Sequence, residues 1–262
     1  MRLPIYQINA FASAVFKGNP AAVVPLDQWL PDAMLQAIAL ENNLSETAFF
    51  VPEGELWRLR WFTPAVEVDL CGHATLATAH LIFTRLAPDR DRVEFMTRSG
   101  RIAVTRKAEL LELDFPAVAM QVRSDAMTLD ALEGALGCRP AEAYVGMDQM
   151  AVFREEGQVA GLKPDMARIA ALGGRGLIAT APGETCDFVS RFFGPAVGIP
   201  EDPVTGSAHT VLTPFWAKRL GKTKLAARQI SARGGELLCE DRGERVGIAG
   251  RAVLYLEGAI FV

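Results

Sequence analysis

Short runs of apolar residues, many of them β-branched or aromatic, recur along the chain, and some alternate with polar positions. Runs of this length and composition are typical of β-strands. In the first half they predict strands at 3–8, 21–24, 47–51, 56–62, 93–97, 101–106 and 110–115. In the second half they predict strands at 141–147, 149–155, 176–181 and 188–193.

Four segments show a helical pattern instead. The first, 31–42, begins with Pro31 and places Met34, Leu35 and Ile38 on one face. Proline is favoured in the first turn of a helix. The pattern also predicts helices at 73–86, 129–136 and 164–172.

The pattern restarts after Phe115 and Pro116, and the second half then repeats the order of the first. We expect two domains, 1–117 and 118–262, with a polar linker at 121–128. The partly alternating segment 252–262 is expected to be a strand that pairs back into the first domain.

One constant shift along the chain aligns two strand-to-helix turns. It lays Cys71-Gly72-His73-Ala74-Thr75 on Thr205-Gly206-Ser207-Ala208-His209, and Glu67 on Glu201. The same shift lays Glu46-Thr47-Ala48 on Thr180-Ala181-Pro182. We interpret the match as a two-fold internal repeat. The alternative is two unrelated turns that happen to share glycine and alanine.

Composition narrows the class of protein. The 262 residues include 27 Lys and Arg against 31 Asp and Glu, a net charge of −4, which argues against a nucleic-acid-binding surface. The longest stretches without Asp, Glu, Lys or Arg, 70–84 and 203–217, are shorter than the ~18 residues of a membrane span. The first residues alternate like a strand and lack the apolar core of a signal peptide. We therefore expect a cytoplasmic protein that binds neither membrane nor nucleic acid.

Gly72 and Gly206 each stand at the mouth of a predicted helix. A glycine lets a ligand approach the backbone, and the unpaired N–H groups of the first turn favour an anion. Two matched helix mouths predict a site for a small carboxylate. The alternative for each glycine is a tight strand-to-helix turn.

Several side chains near these turns could carry chemistry. Glu46 precedes an apolar strand, where desolvation favours the protonated carboxyl and suits proton transfer, although a solvated loop residue is the alternative. His73 could bind a ligand or shuttle a proton. Cys71 lies at a helix start, where a thiolate is favoured, or packs as a small apolar residue. Asp202 either forms the turn before the second helix or presents its carboxylate to a ligand.

Metal binding and hydrolysis receive less support from the sequence. The histidines and the four cysteines show no HxxxH, HExxH or CxxC spacing, so we expect no metal site and reduced thiols. Ser207, His73 and Asp202 have the residue types of a hydrolase triad, but TGSAH is not the GxSxG elbow.

Four ordered segments resemble the phenazine-biosynthesis PhzF-like isomerases, and the likeness spans nearly the whole chain. They are FKGNPAAVV (16–24), NLSETAFF (43–50), DLCGHATLA (69–77) and EDPVTGSAH (201–209). The resemblance implies the diaminopimelate epimerase fold, an α+β architecture. That fold has two similar halves, each a β-barrel-like sheet around a central helix, with the active site in the cleft between them.

The resemblance also implies roles for individual residues. Glu46 would be the acid/base carboxylate that removes a proton from one carbon of a small carboxylate substrate and returns it elsewhere, without a cofactor. His73, Asp202 and Ser207 would bind substrate and relay protons. The backbone amides of Gly72, Gly206 and Ser207 would hold the substrate carboxylate, and the family forms homodimers. The remaining substrate-binding candidates are the residues at the two helix mouths, Cys71 and Thr205.

Two alternatives stay open. Amino-acid racemases and epimerases of the diaminopimelate type share this fold but use two cysteines as opposed acid and base. Here Cys71 stands at one helix mouth and Thr205 at the other, and a hydroxyl is too weak an acid to replace a thiol. The second alternative is a non-catalytic protein that binds a small carboxylate or a partner protein.

Overall fold

The computed structural model describes residues 1–262, which form two compact units. Unit 1 comprises Met1–Phe115 together with Gly247–Val262, and unit 2 comprises Pro116–Val246. The first boundary thus lies two residues before the expected one, and the chain returns to unit 1 at Gly247, five residues before the segment that we expected to pair back.

The α+β class is confirmed, since both units combine a largely antiparallel set of strands with a few helices. The strands are β1 (Arg2–Ala10), β2 (Asn19–Pro25), β3 (Glu46–Glu53), β4 (Leu56–Phe62), β5 (Glu67–Val68), β6 (Arg92–Thr97), β7 (Gly100–Lys107), β8 (Leu110–Pro116), β9 (Gln121–Val122), β10 (Glu142–Val145), β11 (Gln149–Val152), β12 (Leu177–Pro182), β13 (Phe188–Gly194), β14 (Ile199–Asp202), β15 (Lys224–Gln229), β16 (Gly235–Asp241), β17 (Arg245–Gly250) and β18 (Ala252–Phe261). The helices are α1 (Asp32–Asn42), α2 (Gly72–Leu81), α3 (Ala126–Leu136), α4 (Glu156–Ala160), α5 (Met166–Ala171) and α6 (Gly206–Leu220). A π-helical turn, Ile82–Leu86, continues α2, and a 3₁₀ turn, Pro195–Val197, follows β13. None of the helices has the length and apolar character that a membrane crossing requires.

The sheet of unit 1 is built around β2 and β3, which pair in parallel from Ala21↔Glu46 onward. β1 pairs antiparallel with β2 on one side and with β18 on the other, so the C-terminal strand lies in unit 1. β4 pairs antiparallel with β3 and parallel with β6. This order places Asn19 and Glu46, the first residues of two neighbouring strands, at the same region of the sheet.

Helix α2 is buried on nearly every side. All of its residues except His80 are shielded from solvent, and it packs against β1, β2 and β3. A helix that is apolar all round lies inside a protein rather than on its surface. By contrast, α1 packs only one face on the sheet, in a cluster that includes Leu35, Ile38 and Phe49. The central-helix arrangement expected from the family resemblance is therefore present in unit 1.

Unit 2 repeats this order of strand pairing. β11 and β12 are parallel, β12 and β13 are antiparallel, and β13 pairs antiparallel with β14 and parallel with β15. Its central helix, α6, contains Pro214, which has no N–H to donate to the carbonyl of Thr210. The backbone N–H of Val118 donates to that carbonyl instead, across 3.1 Å.

Matching ion pairs support the internal repeat. In unit 1 the Arg60 guanidinium makes two hydrogen bonds to Glu67, of 2.7 and 2.8 Å. In unit 2 Arg191 makes two to Glu201, of 2.7 and 3.0 Å. The two glutamates are related by the predicted shift, whereas the arginine precedes its glutamate by 7 positions in unit 1 and by 10 in unit 2. Unit 2 therefore carries a short insertion between its arginine and its glutamate.

Two expectations are wrong in detail. The alignment of Glu46 with Thr180 fails, because Glu46 begins β3 whereas Thr180 lies within β12 and bonds the carbonyl of Val189. The segment 121–128 is also not a linker. It forms β9, which pairs with β10, and the start of α3, where Asp125 caps the helix.

Candidate active site

The carboxylate of Glu46 meets the imidazole of His73 in unit 1. Glu46 begins β3, His73 is the second residue of α2, and Oε2 of Glu46 lies 3.2 Å from Nε2 of His73. Both side chains are buried, with exposed fractions of 11% and 5%. The structure thus joins two of the three predicted catalytic residues in a site with little access to solvent.

The other ring nitrogen of His73 faces two donors. The side-chain amide of Asn19 lies 3.2 Å from Nδ1, and the thiol of Cys71 lies 3.5 Å from it. An amide nitrogen only donates, and a thiol donates weakly, so Nδ1 is the acceptor. In a neutral imidazole the hydrogen then resides on Nε2, the nitrogen that faces Glu46.

His73 is neutral at physiological pH. Burial lowers the pKa of His73 to about 3, because the imidazolium would lose its hydration inside the protein. Nε2 is buried and makes no hydrogen bond of good geometry, since its N–H does not point along the line to Glu46. A buried donor without an acceptor is costly, and catalytic hydrogen bonds often align only when substrate binds. Nε2 of His73 is therefore placed to donate to a ligand.

Glu46, Cys71 and His73 are also ligand types that zinc accepts, and their ligand atoms all lie within 4.8 Å of one another. The thiol, however, contacts Nδ1 of His73, while the carboxylate contacts Nε2. One ion can coordinate only one nitrogen of the ring. The arrangement suits a polar chain from Cys71 through His73 to Glu46 better than it suits a metal site.

Asp202 lies at the mouth of α6 in unit 2, and its surroundings are polar and buried. The hydroxyl of Thr205 donates to Oδ2 of Asp202 across 2.5 Å. The side chain of Gln229 accepts from the backbone N–H of Thr205 and donates to the carbonyl of Asp202, each across 2.8 Å. Nδ1 of His209 hydrogen-bonds the carbonyl of Thr205 across 2.8 Å. Asp202 and Thr205 are thus held from several directions.

The two helix mouths share one further hydrogen bond, from a side chain to a backbone carbonyl. In α2 the Thr75 hydroxyl donates to the carbonyl of Cys71 across 2.5 Å, and in α6 His209 donates to the carbonyl of Thr205. The shift that defines the repeat relates Thr75 to His209 and also relates Cys71 to Thr205. In each mouth the side chain on the first full turn of the helix holds the carbonyl of the residue before the glycine.

Backbone N–H groups of the first turns remain the candidates for binding an anion. Gly72 and Gly206 are the first residues of α2 and α6, and both are buried. No side chain caps either helix, because Cys71 contacts His73 and the Thr205 hydroxyl is used by Asp202. Ser207, the second residue of α6, is half-buried.

Comparison with known proteins identifies the family. Residues 8–258 match the family model of the phenazine biosynthesis-like proteins. The chain belongs to the PhzF-like family. This PhzF-like protein is 54% identical, over 261 residues and 99% of each chain, to an uncharacterized isomerase of Pseudomonas aeruginosa. Three of its relatives are named isomerases, and a PhzF-like isomerase is an enzyme rather than a non-catalytic binding protein.

Solved structures agree with the fold of this PhzF-like isomerase. A phenazine biosynthesis protein of the PhzF family from Enterococcus faecalis is 49% identical, with a TM-score of 0.97 and full coverage of both chains. A predicted epimerase from Pseudomonas aeruginosa has the same fold, with a TM-score of 0.80 at 18% identity and 99% coverage of each chain. The epimerase-like fold expected from the sequence is thereby confirmed.

Sequence reasoning missed two residues of the PhzF-like site, Asn19 and Gln229. Asn19 stood in a quoted motif without a role, and none of the four quoted motifs included Gln229. Both are amides with an exposed fraction of 1% or less. For Asn19 the signal was its place beside the apolar run 21–24, because a buried amide needs hydrogen-bond partners. Gln229 ends the segment KLAARQ, which carries no such signal.

Proposed function

We propose that this isomerase moves a proton, and with it a double bond, on a small carboxylate substrate without a cofactor. Glu46 is the single general acid and base. The observation that carries this proposal is the buried Glu46 carboxylate, 3.2 Å from a neutral imidazole whose Nε2 lacks an aligned acceptor. Such a pair offers a base for carbon acids and, beside it, a donor for developing charge.

In the first half of the reaction Glu46 takes a proton from a carbon adjacent to an unsaturated or carboxylated group. Negative charge then spreads toward the substrate carboxylate, where preorganised N–H donors stabilise it more strongly than they stabilise the ground state. We assign that binding to the backbone amides of Gly72, Gly206 and Ser207. The N–H of His73 donates to the same developing charge, because Nε2 carries the hydrogen.

In the second half Glu46, now protonated, returns the proton at another carbon. A carboxylate can serve both roles when its surroundings exclude water, and the side chain of Glu46 is only 11% exposed. We assign to Asp202 a part in proton relay, which its hydrogen bond from Thr205 supports. Cys71 and Thr205 line the helix mouths and act through His73 and Asp202.

The two-thiol racemase alternative receives less support from these contacts. The residue at the second helix mouth is Thr205, and its hydroxyl is already donated to Asp202. Cys71 lies against His73 and is buried. A thiolate acting as base also needs an opposed acid of comparable strength, which a threonine hydroxyl does not provide.

Proton NMR in D₂O tests the proposal. Unsaturated and amino-carboxylic acids, including dihydro-hydroxyanthranilate, are incubated with the wild type, Glu46→Gln and Cys71→Ser. Double-bond migration or deuterium uptake that Glu46→Gln abolishes supports the single-carboxylate isomerase. Exchange at an amino-acid α-carbon that survives in Glu46→Gln and is lost in Cys71→Ser would replace it with the racemase mechanism.

We also propose that the protein is a cytoplasmic homodimer. The four cysteines form no disulfide, which fits a reducing compartment, and the family resemblance supports the dimer. Light scattering coupled to gel filtration should give twice the 28.4 kDa of one chain. A mass of one chain at micromolar concentration would contradict the dimer.

A further inference from the structure

Gln229, the last residue of β15, is buried at the mouth of α6 with an exposed fraction of 1%. Its backbone lies between two strands: it pairs with Ser190 of β13 on one side and with Gly235 of β16 on the other. A side chain that starts from the middle of a sheet has a fixed origin. Whatever Gln229 bonds is therefore tied to a rigid part of unit 2.

The direction of the Gln229 amide is determined by its partners. The backbone N–H of Thr205 can only donate, so the atom 2.8 Å from it is the oxygen Oε1. The nitrogen Nε2 then faces two acceptors, the carbonyl of Asp202 at 2.8 Å and the hydroxyl of Thr205 at 3.1 Å. A reversed amide would place its N–H group against the N–H of Thr205 and its oxygen against the carbonyl oxygen of Asp202.

The orientation of the Gln229 amide also determines the direction of the hydrogen bond from Thr205 to Asp202. Because the Thr205 hydroxyl accepts from Gln229, its own hydrogen is directed to Oδ2 of Asp202, 2.5 Å away. Gln229 thus holds the backbone carbonyl of Asp202 directly and its carboxylate through one hydroxyl. A neighbouring contact holds the same loop, since the Ser231 hydroxyl donates to the carbonyl of Pro203 across 2.8 Å.

We infer that Gln229 is a positioning residue that fixes the Asp202 carboxylate at the mouth of α6. The inference rests on the proposed function, in which Asp202 takes part in proton relay. Buried hydrogen-bond networks rigidify a site when every member is satisfied, and a misplacement of about 1 Å can reduce a rate roughly a hundredfold. The side-chain amide of Gln229 bonds Thr205 and Asp202, so we expect its effect on the reaction to be exerted through these two residues.

Three variants separate positioning from general stability. Gln229→Leu keeps the approximate volume and removes all three hydrogen bonds. Gln229→Glu keeps the shape, and only its protonated form can donate to the Asp202 carbonyl. Gln149→Leu is the matched control, since Gln149 is a half-buried glutamine of unit 2 whose one side-chain bond, of 3.5 Å, goes to the carbonyl of Leu172.

Amide hydrogen exchange measured by NMR on the intact protein tests the inference without a substrate. We expect exchange at Thr205 to be about tenfold faster in Gln229→Leu, the factor that one buried hydrogen bond of ordinary strength provides, and unchanged in Gln149→Leu. Gln229→Glu keeps an oxygen that accepts from the Thr205 N–H in both protonation states, so Thr205 exchange should stay near the wild-type rate, after correction for intrinsic exchange. Two titratable groups contact the same network: Asp202 on β14 accepts from the Thr205 hydroxyl, and His209 on α6 donates to the Thr205 carbonyl. Equal Thr205 exchange in the wild type and Gln229→Leu would overturn the inference.

Kinetics on a substrate found by the D₂O panel supply the second readout. Gln229→Leu should lower kcat roughly a hundredfold with little change in KM, and Gln229→Glu should recover activity as the pH falls. An unchanged kcat in a variant with fast Thr205 exchange would also overturn the inference. If the wild type converts no substrate of the panel while Thr205 exchange is still faster in Gln229→Leu, the proposed function has failed. The positioning of Thr205 and Asp202 by Gln229 is then retained.

Discussion

The side-chain amide of Asn19 donates to Nδ1 of His73 across 3.2 Å, and both residues are buried. The contact joins the first residue of β2 to the second residue of α2 and determines which ring nitrogen carries the hydrogen. Nε2–H is then directed toward the Glu46 side of the ring. Asn19 in unit 1 and Gln229 in unit 2 thus have the same structural role. Each is a buried amide that sets the direction of a polar chain ending at a carboxylate.

The tautomer of His73 is a direct prediction. In the wild type at pH 7, long-range ¹H–¹⁵N NMR should show hydrogen on Nε2 and none on Nδ1. Replacement of Asn19 by Leu removes the donor and should give a mixture of the two tautomers, with a loss of about 1–3 kcal/mol in the free energy of unfolding. A hydrogen on Nδ1 of the wild type would show that the amide faces the ring in the opposite direction.

The buried histidines should make the protein unstable in acid. Burial lowers the pKa of His73 to about 3 and that of His209 to about 4, against about 6.5 in the unfolded chain. Between these values the unfolded state binds more protons, so the free energy of unfolding falls as the pH falls. From pH 8 to pH 5 each histidine contributes a loss of about 2 kcal/mol.

His209→Gln tests that contribution, because it removes one titrating group and keeps a side-chain donor. Urea unfolding at pH 8 and pH 5 should show the variant losing about 2 kcal/mol less than the wild type over this interval. Carboxylates titrate in both proteins, so their contribution cancels when the change in the free energy of unfolding of one protein is subtracted from that of the other. Identical pH dependence would show that His209 is protonated as readily in the folded state as in the unfolded state.

The position directly before Asn19 requires a glycine, Gly18, because of its backbone conformation and its close neighbours. Its φ is +66°, and a Cβ there would overlap the backbone oxygen of Ala10 and lie 2.7 Å from the Cβ of Ala12. Gly54 is a matched control, with a φ of +63° and no atom within 4 Å of the corresponding Cβ.

Alanine at the two positions should therefore have unequal costs. Gly54→Ala carries only the left-handed backbone penalty of about 1–2 kcal/mol. Gly18→Ala adds a clash with backbone, about 1–3 kcal/mol more, and displaces Asn19 from His73. Thermal and urea unfolding of both variants gives the comparison. Equal destabilisation would mean that the chain around Gly18 relaxes freely.

Much of the fold could be predicted because its signals are local. The apolar runs matched most strands to within a few residues, and the pattern at 73–86 covers α2 together with the π-helical turn that follows it. The constant shift between the two halves found both helix mouths, because each carries a glycine followed two residues later by alanine. The linker at 121–128 was wrong because an exposed two-residue strand and a capping Asp125 are as polar as a linker.

The site was only partly predictable. Glu46 and His73 were marked by the motifs, and the structure brings them together. Asn19, although it stood in a quoted motif, and Gln229 received no role, because their partners lie 54 and 24 residues away along the chain. A hydrogen bond of that separation exists only once the sheet and the central helix are in place. The same applies to the lowered pKa of His73, which depends on burial rather than on neighbouring residues.

We propose Glu46 as the single acid and base of this isomerase. The most direct measurement is the rate of double-bond migration or deuterium uptake in D₂O, followed by proton NMR, for the wild type, Glu46→Gln and Glu41→Gln. Glu41 is exposed on α1, so the control makes the same substitution five residues away. We expect a loss of about 10²–10⁴-fold in Glu46→Gln and an unchanged rate in Glu41→Gln. A Glu46→Gln enzyme that keeps the wild-type rate would contradict the proposed role of Glu46.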